Sequence, residues 1–326
     1  MISLVYGLVV SIVTTVIVTL LSIAIERRAG VLCVDIHKPH KPLVPCIGGF
    51  AILTGTLVGL VITEPYSAMT LGAIMSISIA FALGLLDDIR GLSAYSKVLA
   101  GFLPAIPILI LKLYTPHPWL PFLGYTRMTL VYPILVLVAF TVYINGANMI
   151  DTHNGVLIAA TLIAHLGGLA LAIASGVDWE RIALLLIFIA VLASYLPFNI
   201  YPAKILNGNA GSFTVGCMLA LSSILARLEI YFVLACMPLF VNGFYYLSSV
   251  KKLLQRERVE RPIDIDSRGC MRAKLSRKAP ITLVRLVLAF AKSPLSELEL
   301  ISILIPLYAT TTVIATLLLY VLGYGQ

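Results

Sequence analysis

The strongest constraint on the fold is a series of long apolar runs that carry little or no charge. The first, residues 1–25, has no charged residue and exceeds the roughly 20 apolar residues that cross a bilayer, so we expect a span rather than a cleavable signal. Similar runs follow along the chain. The predicted spans are residues 1–25, 45–63, 66–86, 95–113, 128–150, 155–177, 182–203, 205–226, 230–250 and 299–323.

Composition agrees with this interpretation. The chain is 60% hydrophobic and 12% charged, with a mean hydropathy of +1.01, whereas a soluble domain has about 25% charged residues. The sequence therefore predicts an all-α polytopic membrane protein with ten transmembrane helices, folded as a single domain over residues 1–326.

Most of the 23 lysine and arginine residues fall in the connections on one side of these spans. Positive residues are retained in cytoplasmic loops, so this side is predicted to be cytoplasmic, and an even number of spans puts both termini outside. The largest basic connection is residues 251–298. The net charge of +8 would attract anionic membrane lipid and anionic substrates, and no segment resembles a nucleic-acid-binding module. The predicted location is the cell membrane of a prokaryote, archaea included.

The cysteines give no sign of a metal site or a disulfide framework. They are odd in number and form no C-x-x-C pair. The five are Cys33, Cys46, Cys217, Cys236 and Cys270. We therefore expect neither feature.

Two adjacent carboxylates, Asp87 and Asp88, follow the uncharged stretch 65–86. A carboxylate at the bilayer centre costs about 2.5–3.5 kcal/mol, so the pair belongs at the water boundary, where it can hold a metal ion or face a cation. In one unbroken helix Lys97 would point away from Asp88, because nine residues turn the chain through roughly 900°. Gly91 offers a break. The stretch therefore predicts a turn between two spans with both kinds of charge at one site.

Residues 145–155 repeat a carboxamide or carboxylate at every third position. On a helix, Asn148 and Asp151 lie about 60° apart and can share one ligand, and Asn154 follows at the same spacing. Such groups are costly in an apolar span unless they line a wet cavity. The segment indicates ligand binding, and the alternative is a polar contact between helices.

Three other polar segments fall on the same predicted side. Residues 35–49 place His37 and Lys38 in a proline-restricted stretch before two glycines, which suits substrate binding or a simple positive anchor. Residues 198–212 begin a helix near Gly208, where exposed N–H groups favour phosphate, although a plain turn also fits. Residues 251–292 are basic, and the fork of Arg261 suits a diphosphate, the alternative being membrane attraction. The later part, 281–292, is typical of a surface-lying amphipathic helix.

Together, in this order, these segments resemble the polyprenyl-phosphate N-acetylhexosamine-1-phosphate transferase family of the glycosyltransferase 4 type. The features that carry the resemblance are the basic entry before Gly48-Gly49, Asp87-Asp88 with Lys97, the N-x-x-N-x-x-D-x-x-N-G block ending at Gly155, the Tyr201-Pro202 to Gly211-Ser212 turn, and Arg261-Pro262. The last of these makes the chain most similar to the dolichyl-phosphate GlcNAc-1-phosphate transferases.

The resemblance implies that GlcNAc-1-phosphate passes from a UDP-sugar to polyprenyl or dolichyl phosphate with release of UMP. It implies Mg²⁺ as cofactor, with Mn²⁺ as a substitute, and a homodimer. It also implies roles for single residues. Asp87 and Asp88 match catalytic carboxylates, Lys97 the residue that holds the lipid phosphate, Asn148 a metal-side amide, Asn154 a residue near the uridine, and Arg261 the arginine that grips the diphosphate.

Two departures from the family pattern stand out. The family's Gly-Asp at the metal site reads Gly208-Asn209 here, which removes a negative ligand, so Asp151 or Asp87 is predicted to supply the missing charge. The predicted metal-side set is then Asn148, Asn209, Asp151 and Asp87. Thr152-His153 replaces a glycine and an apolar residue of many relatives.

Two other functions are compatible with parts of this pattern. A transporter could use the boundary aspartates as an ion or proton relay, but relay acids are expected near the midplane, often with inverted repeats. A homologue weakened by Asn209 could bind lipid phosphate without turnover.

Overall fold

The structure is a computed structural model that describes residues 2–38, 40–250 and 260–324. In these ranges the chain forms thirteen α-helices and six short strands. The helices are α1 Ile2–Ala29, α2 Gly49–Thr63, α3 Ala68–Arg90, α4 Ala94–Ala100, α5 Ile106–Ile110, α6 Tyr132–Ile150, α7 Val156–Ala174, α8 Trp179–Asn199, α9 Gly208–Leu225, α10 Glu229–Ala235, α11 Met237–Val250, α12 Leu283–Phe290 and α13 Glu297–Val321. The strands are β1 Leu32–Val34, β2 Leu43–Pro45, β3 Trp119–Leu120, β4 Gly124–Tyr125, β5 Ile263–Ile265 and β6 Met271–Ala273, paired antiparallel as β1–β2, β3–β4 and β5–β6.

Seven helices within the described ranges are long and apolar enough to cross a membrane: α1, α3, α6, α7, α8, α9 and α13. Helices α10 and α11 meet at a bend of 67° and would add an eighth span if they act as one. Two further apolar segments, α2 and the stretch from Ala94 to Ile110, are shorter. The chain is a mostly helical, multi-pass membrane protein, and the count of ten spans and their orientation stay predictions.

The predicted span 95–113 is not one continuous helix. Helix α4 ends at Ala100, a 3-10 turn covers Leu103–Ala105, and α5 stops at Ile110. Pro104 and Pro107 explain the breaks, because proline lacks a backbone donor and its ring clashes with the preceding turn. The predicted span 95–113 is therefore present as an interrupted apolar segment, Ala94–Ile110, which is shorter than expected.

The ends of α3 are set by local sequence. The Ser67 hydroxyl accepts hydrogen bonds from the N–H groups of Met69 (3.0 Å) and Thr70 (3.3 Å), which satisfies donors of the first turn. At the other end Gly91 adopts a φ of 66°, which residues with a Cβ rarely adopt, and its N–H donates to the Asp87 carbonyl oxygen. The predicted break at Gly91 is confirmed, and Lys97 lies on the next helix.

Helix α9 is the centre of the bundle. Its residues are buried without exception from Ala210 to Leu225, and it packs against α3, α6 and α2. Helix α1 instead leaves large apolar side chains exposed, among them Ile17 and Leu21, as a helix facing lipid does. The N-terminus of α9 therefore lies among the ends of several other helices rather than at the rim.

The segment between α1 and α2 forms the β1–β2 hairpin, in which Cys33 pairs with Val44. A disulfide bond joins Cys33 to Cys46, whose Cα atoms are 5.8 Å apart. The expectation of no disulfide is wrong. The cysteine count and spacing gave no signal, because this pairing depends on the register of a hairpin.

The predicted basic connection, residues 251–298, holds the β5–β6 ribbon and α12, while residues 251–259 lie outside the described residues. The helix expected in 281–292 is present as α12, with Leu288 buried and Phe290 86% exposed. The Arg285 guanidinium donates to the carbonyl oxygens of Lys274 and Ser276, at 2.8 and 3.0 Å. This arginine therefore ties the ribbon to the helix.

Candidate active site

A cavity of about 1460 Å³ opens at the end of the bundle where α3, α6 and α8 end and α7, α9 and α13 begin. Nearly all of the site residues predicted from the sequence line it. They are His37, Lys38, Asp88, Lys97, Asn148, Asp151, Asn154, Gly208, Asn209 and Arg261. Side chains that lie far apart in the sequence therefore share one cavity at one end of the molecule.

The buried Asp87 and the partly buried Lys97 form an ion pair across the Gly91 turn. Asp87 is 2% exposed, and its Oδ1 accepts the N–H of Leu92 at 2.7 Å. Lys97 belongs to the cavity lining, whereas Asp87 is absent from it. Because a hydrogen-bonded carboxylate fixes an ammonium in position, Asp87 orients Lys97 toward the cavity.

Asp88 holds the first turn of α9. Its Oδ1 accepts the N–H of Asn209 at 2.9 Å and its Oδ2 accepts the N–H of Ala210 at 3.0 Å. Gly208 has a φ of 67°, and a Cβ there would lie 2.5 Å from the Cys46 carbonyl oxygen, so a larger residue does not fit. We predicted that N–H groups at the start of this helix would bind phosphate. Two of them, those of Asn209 and Ala210, donate to Asp88 instead.

Amide groups continue this wall of the cavity. The Asn148 Nδ2 donates to Asn209 Oδ1 at 2.6 Å and to Ser212 Oγ at 2.9 Å. The Asn207 Nδ2 donates to Asp151 Oδ1 at 2.7 Å. We call Asp88, Asn148, Asp151 and Asn209 the carboxylate–amide wall.

The donor chemistry of the carboxylate–amide wall fits a divalent metal. Burial raises the pKa of Asp151 to about 7, the hydrogen bond from Asn207 opposes the shift, and the charge of Asp88 adds to it. A carboxylate in this environment is stabilised by a nearby cation. The polar side chains offer oxygen atoms, and oxygen is what Mg²⁺ prefers.

A second polar cluster lies at another part of the cavity, with Asp35, Lys38 and Asn154 in the lining and Glu297 in contact with them. The Lys38 ammonium contacts the carboxylates of Asp35 and Glu297 and donates to Asn154 Oδ1. Asn154 also donates from its backbone N–H to Glu297 Oε1 at 3.0 Å and from Nδ2 to Asp35 Oδ2 at 3.3 Å, and its Oδ1 accepts the N–H of Ala203 at 3.0 Å. We call Asp35, Lys38, Asn154 and Glu297 the Lys38 network. It joins the β1–β2 hairpin, the α6–α7 connection and the start of α13.

Comparison with known proteins bears on the same region. The profile of glycosyl transferase family 4 matches residues 70–227. This stretch forms a family 4 domain. It runs from α3 to just beyond α9 and contains Asp87, Asp88, Lys97 and the whole carboxylate–amide wall.

Curated relatives agree with the family 4 assignment. A Saccharolobus solfataricus protein named as a UDP-N-acetylglucosamine–dolichyl-phosphate N-acetylglucosaminephosphotransferase is 31% identical over 196 residues, covering 57% of this chain and 59% of that protein. A Bacillus subtilis protein named as an undecaprenyl-phosphate N-acetylglucosaminyl 1-phosphate transferase is 29% identical over 280 residues, covering 80% and 75%. A Wolbachia phospho-N-acetylmuramoyl-pentapeptide-transferase is 32% identical over 217 residues, covering 60% and 64%. The match thus spans about three fifths of the first relative's length.

Four residues that contribute to the site were not predicted from the sequence; two of them, Asp35 and Glu297, lie outside the family 4 domain, and Asn207 and Ser212 lie inside it. Glu297 begins the last span, and an acidic residue there is usually explained by the helix dipole. Asp35 was part of a polar stretch, with nothing to indicate its partners. Asn207 and Ser212 could not be identified from the sequence, because their hydrogen-bond partners, Asp151 and Asn148, lie in a different part of the chain.

Proposed function

We propose that the protein transfers N-acetylglucosamine-1-phosphate, or a related N-acetylhexosamine-1-phosphate, from a UDP-sugar to polyprenyl or dolichyl phosphate and releases UMP. The observation that carries the proposal is that Lys97 and the carboxylate–amide wall, all of which lie in the family 4 domain, converge on one cavity. The names of the relatives support both substrates.

In the proposed reaction, an oxygen of the lipid phosphate attacks the phosphorus that bears the sugar. The bond from this phosphorus to the bridging oxygen breaks, and UMP leaves with the electron pair. Phosphoryl transfer depends chiefly on positioning and charge neutralisation. Lys97, oriented by Asp87, holds the lipid phosphate, and Arg261 holds the diphosphate.

The carboxylate–amide wall is the proposed metal side of the site. Asn148, Asn209 and Asp151 would hold Mg²⁺, with Mn²⁺ as a substitute, and the bound ion would neutralise charge on the diphosphate. Asp87 was also predicted as a ligand, but its ion pair with Lys97 favours the positioning role. We further propose that this end of the molecule faces the cytoplasm of a prokaryotic cell, and that the protein is a homodimer.

The alternatives have weaker support. A transporter relay requires acids at the midplane of the bundle, whereas these acids lie at helix ends. A homologue without turnover remains a distinct outcome of the assay, because Asn209 removes a charge from the metal side.

The test is a transfer assay on purified protein in lipid nanodiscs with radiolabelled UDP-GlcNAc, dolichyl phosphate and Mg²⁺. We expect a butanol-extractable labelled lipid and an equal amount of UMP. Lys97→Ala should abolish both, whereas Lys112→Ala, an exposed lysine outside the cavity lining, should leave them unchanged. Absence of product with every tested UDP-N-acetylhexosamine and polyprenyl phosphate would overturn the proposal.

A further inference from the structure

Two histidine rings lie stacked in the lining of the cavity. The centroids of His37 and His153 are 4.3 Å apart, and the ring planes differ by 12°. His153 is 4% exposed, and His37 lies on it with partial exposure. The pair therefore presents one supported aromatic face, that of His37, to the cavity.

The His37 ring is neutral at pH 7, as suits a ring that stacks on another. Burial lowers the pKa of His37 to about 4; Asp35 opposes this shift, and the positive charges of Lys38 and Arg261 add to it. Lys38 is already paired with Asp35 and Glu297. Arg261 lines the same cavity and its charge acts on His37, so this arginine would attract a phosphate attached to a stacked ring.

The rest of the described lining offers few other aromatic surfaces. Besides the two histidines, Tyr308 is the one residue of the described lining with an aromatic ring, and at 3% exposure it offers little surface to a ligand. The amide of Asn154, expected near the uridine, already bonds to Lys38, Asp35 and the Ala203 N–H. Asn154 is therefore better suited to stabilising the Lys38 network beside His37 than to forming hydrogen bonds with the edge of a base.

We propose that the pyrimidine base of the UDP-sugar stacks on the face of His37, with His153 as the supporting layer beneath it. This inference rests on the proposed function, since it assigns the base of that substrate to a particular part of the cavity. The base is the only aromatic ring of a UDP-sugar, so a stacking surface recognises the nucleotide independently of the sugar and the lipid. The diphosphate then extends toward Arg261.

The test compares UMP with 5,6-dihydrouridine 5′-monophosphate, whose base is not aromatic and not planar. Binding is measured by calorimetry on detergent-purified protein, without turnover. The wild type should bind UMP about tenfold more tightly, a ratio that corresponds to about 1.4 kcal/mol and lies within the range for a base stacked on an aromatic side chain. His37→Ala should weaken UMP about tenfold and remove the preference, and His37→Phe should retain it.

His40→Ala is the matched control, because His40 is an exposed histidine on the same hairpin connection, and it should bind both nucleotides like the wild type. If His37→Ala does not yield folded protein, His37→Leu takes its place, since leucine fills similar space without an aromatic ring.

The outcomes separate the two proposals. If the wild type binds UMP but shows no preference over the dihydro analogue, or if His37→Ala weakens both nucleotides equally, stacking on His37 is overturned and the proposed reaction stands. If the wild type binds neither nucleotide at millimolar concentration, both proposals fail.

Discussion

The two polar regions of the cavity are built on different physical principles. In the carboxylate–amide wall, side chains at the ends of α3 and α6 bond to the start of α9, and the helices fix their positions. In the Lys38 network, a partly buried ammonium joins segments as far as 259 residues apart in the sequence. The first region belongs to the family 4 domain, whereas Asp35, Lys38 and Glu297 lie outside residues 70–227.

This difference suggests that the two regions contribute to different properties of the protein. Positions fixed by helix ends suit a reaction that depends on exact placement of phosphates. Positions fixed by ion pairs depend on every member of the network, because a buried charge without its partner is costly. Substitutions in the wall should therefore affect turnover first, and substitutions in the network should affect stability and nucleotide binding first.

The largest expected effect is that of Asp88→Asn on turnover. The substitution removes the negative charge and one of the two acceptor oxygens at the start of α9, and we expect kcat to fall at least about 100-fold, the scale of a lost acid–base or charged group. Asp178→Asn is the control, since Asp178 also caps a helix start, at α8, but is outside the cavity lining. The measurement is the transfer assay, and equal rates for the two variants would remove Asp88 from the chemistry.

Next in size is the effect of Lys38→Met on stability. The carboxylates of Asp35 and Glu297 would remain buried together without the ammonium, at a cost of about 3–5 kcal/mol. Lys41→Met, on the same hairpin connection but exposed, should change stability by less than about 0.5 kcal/mol. Thermal unfolding in one detergent compares them. A Lys38→Met protein as stable as the wild type would show that the network does not hold the segments together.

Asn209→Asp tests the metal side of the wall. It restores a carboxylate next to Asn148, and we expect Mg²⁺ to bind about tenfold more tightly, or about 1.4 kcal/mol. Calorimetric titration with Mg²⁺ and the Mg²⁺ concentration for half-maximal transfer should shift together. If neither the Mg²⁺ affinity from calorimetry nor the Mg²⁺ concentration for half-maximal transfer changes, the metal does not bind next to Asn209.

The smallest expected effect is a difference in the response to pH. The pKa of His37 is lowered from its ordinary value of 6.5 to about 4 in the folded protein. The resulting contribution to the free energy of unfolding is present above pH 6.5 and is lost as the pH falls toward 4. The pKa of Asp151 is raised from its ordinary value of 3.8 to about 7 in the folded protein. Its contribution to the free energy of unfolding is present below pH 3.8 and is lost as the pH rises through 7. The contribution of His37, beside the Lys38 network, and that of Asp151, in the carboxylate–amide wall, thus respond to acid in opposite directions.

Melting temperatures at pH 7.5 and pH 5 in Mg²⁺-free buffer check this. Relative to the wild type, His37→Phe should lose less stability on acidification and Asp151→Asn should lose more, each by about 2–4 °C. Shifts of the same sign in both variants would contradict the assignment.

The sequence predicted much of the site because its signals are local. The boundary position of Asp87-Asp88 follows from the cost of a charge in lipid, and the turn at Gly91 follows from the geometry that brings Lys97 back. The broken segment at Pro104 and Pro107 could have been predicted from the same rules, but the apolar run suggested a full span. Cys33–Cys46 and the partners of Glu297 could not, because they depend on contacts between segments.

By itself the sequence determined that the chain is a membrane protein of many helices, and that its acidic and amide residues collect at helix ends. Run length and the energetic cost of a charge in an apolar layer are enough for that. Only the tertiary structure decided which carboxylate orients Lys97, which one caps α9, and how Lys38 and the stacked histidines complete the cavity. Those assignments depend on which helix ends and loops meet, and a contact across more than two hundred residues leaves no pattern along a single chain.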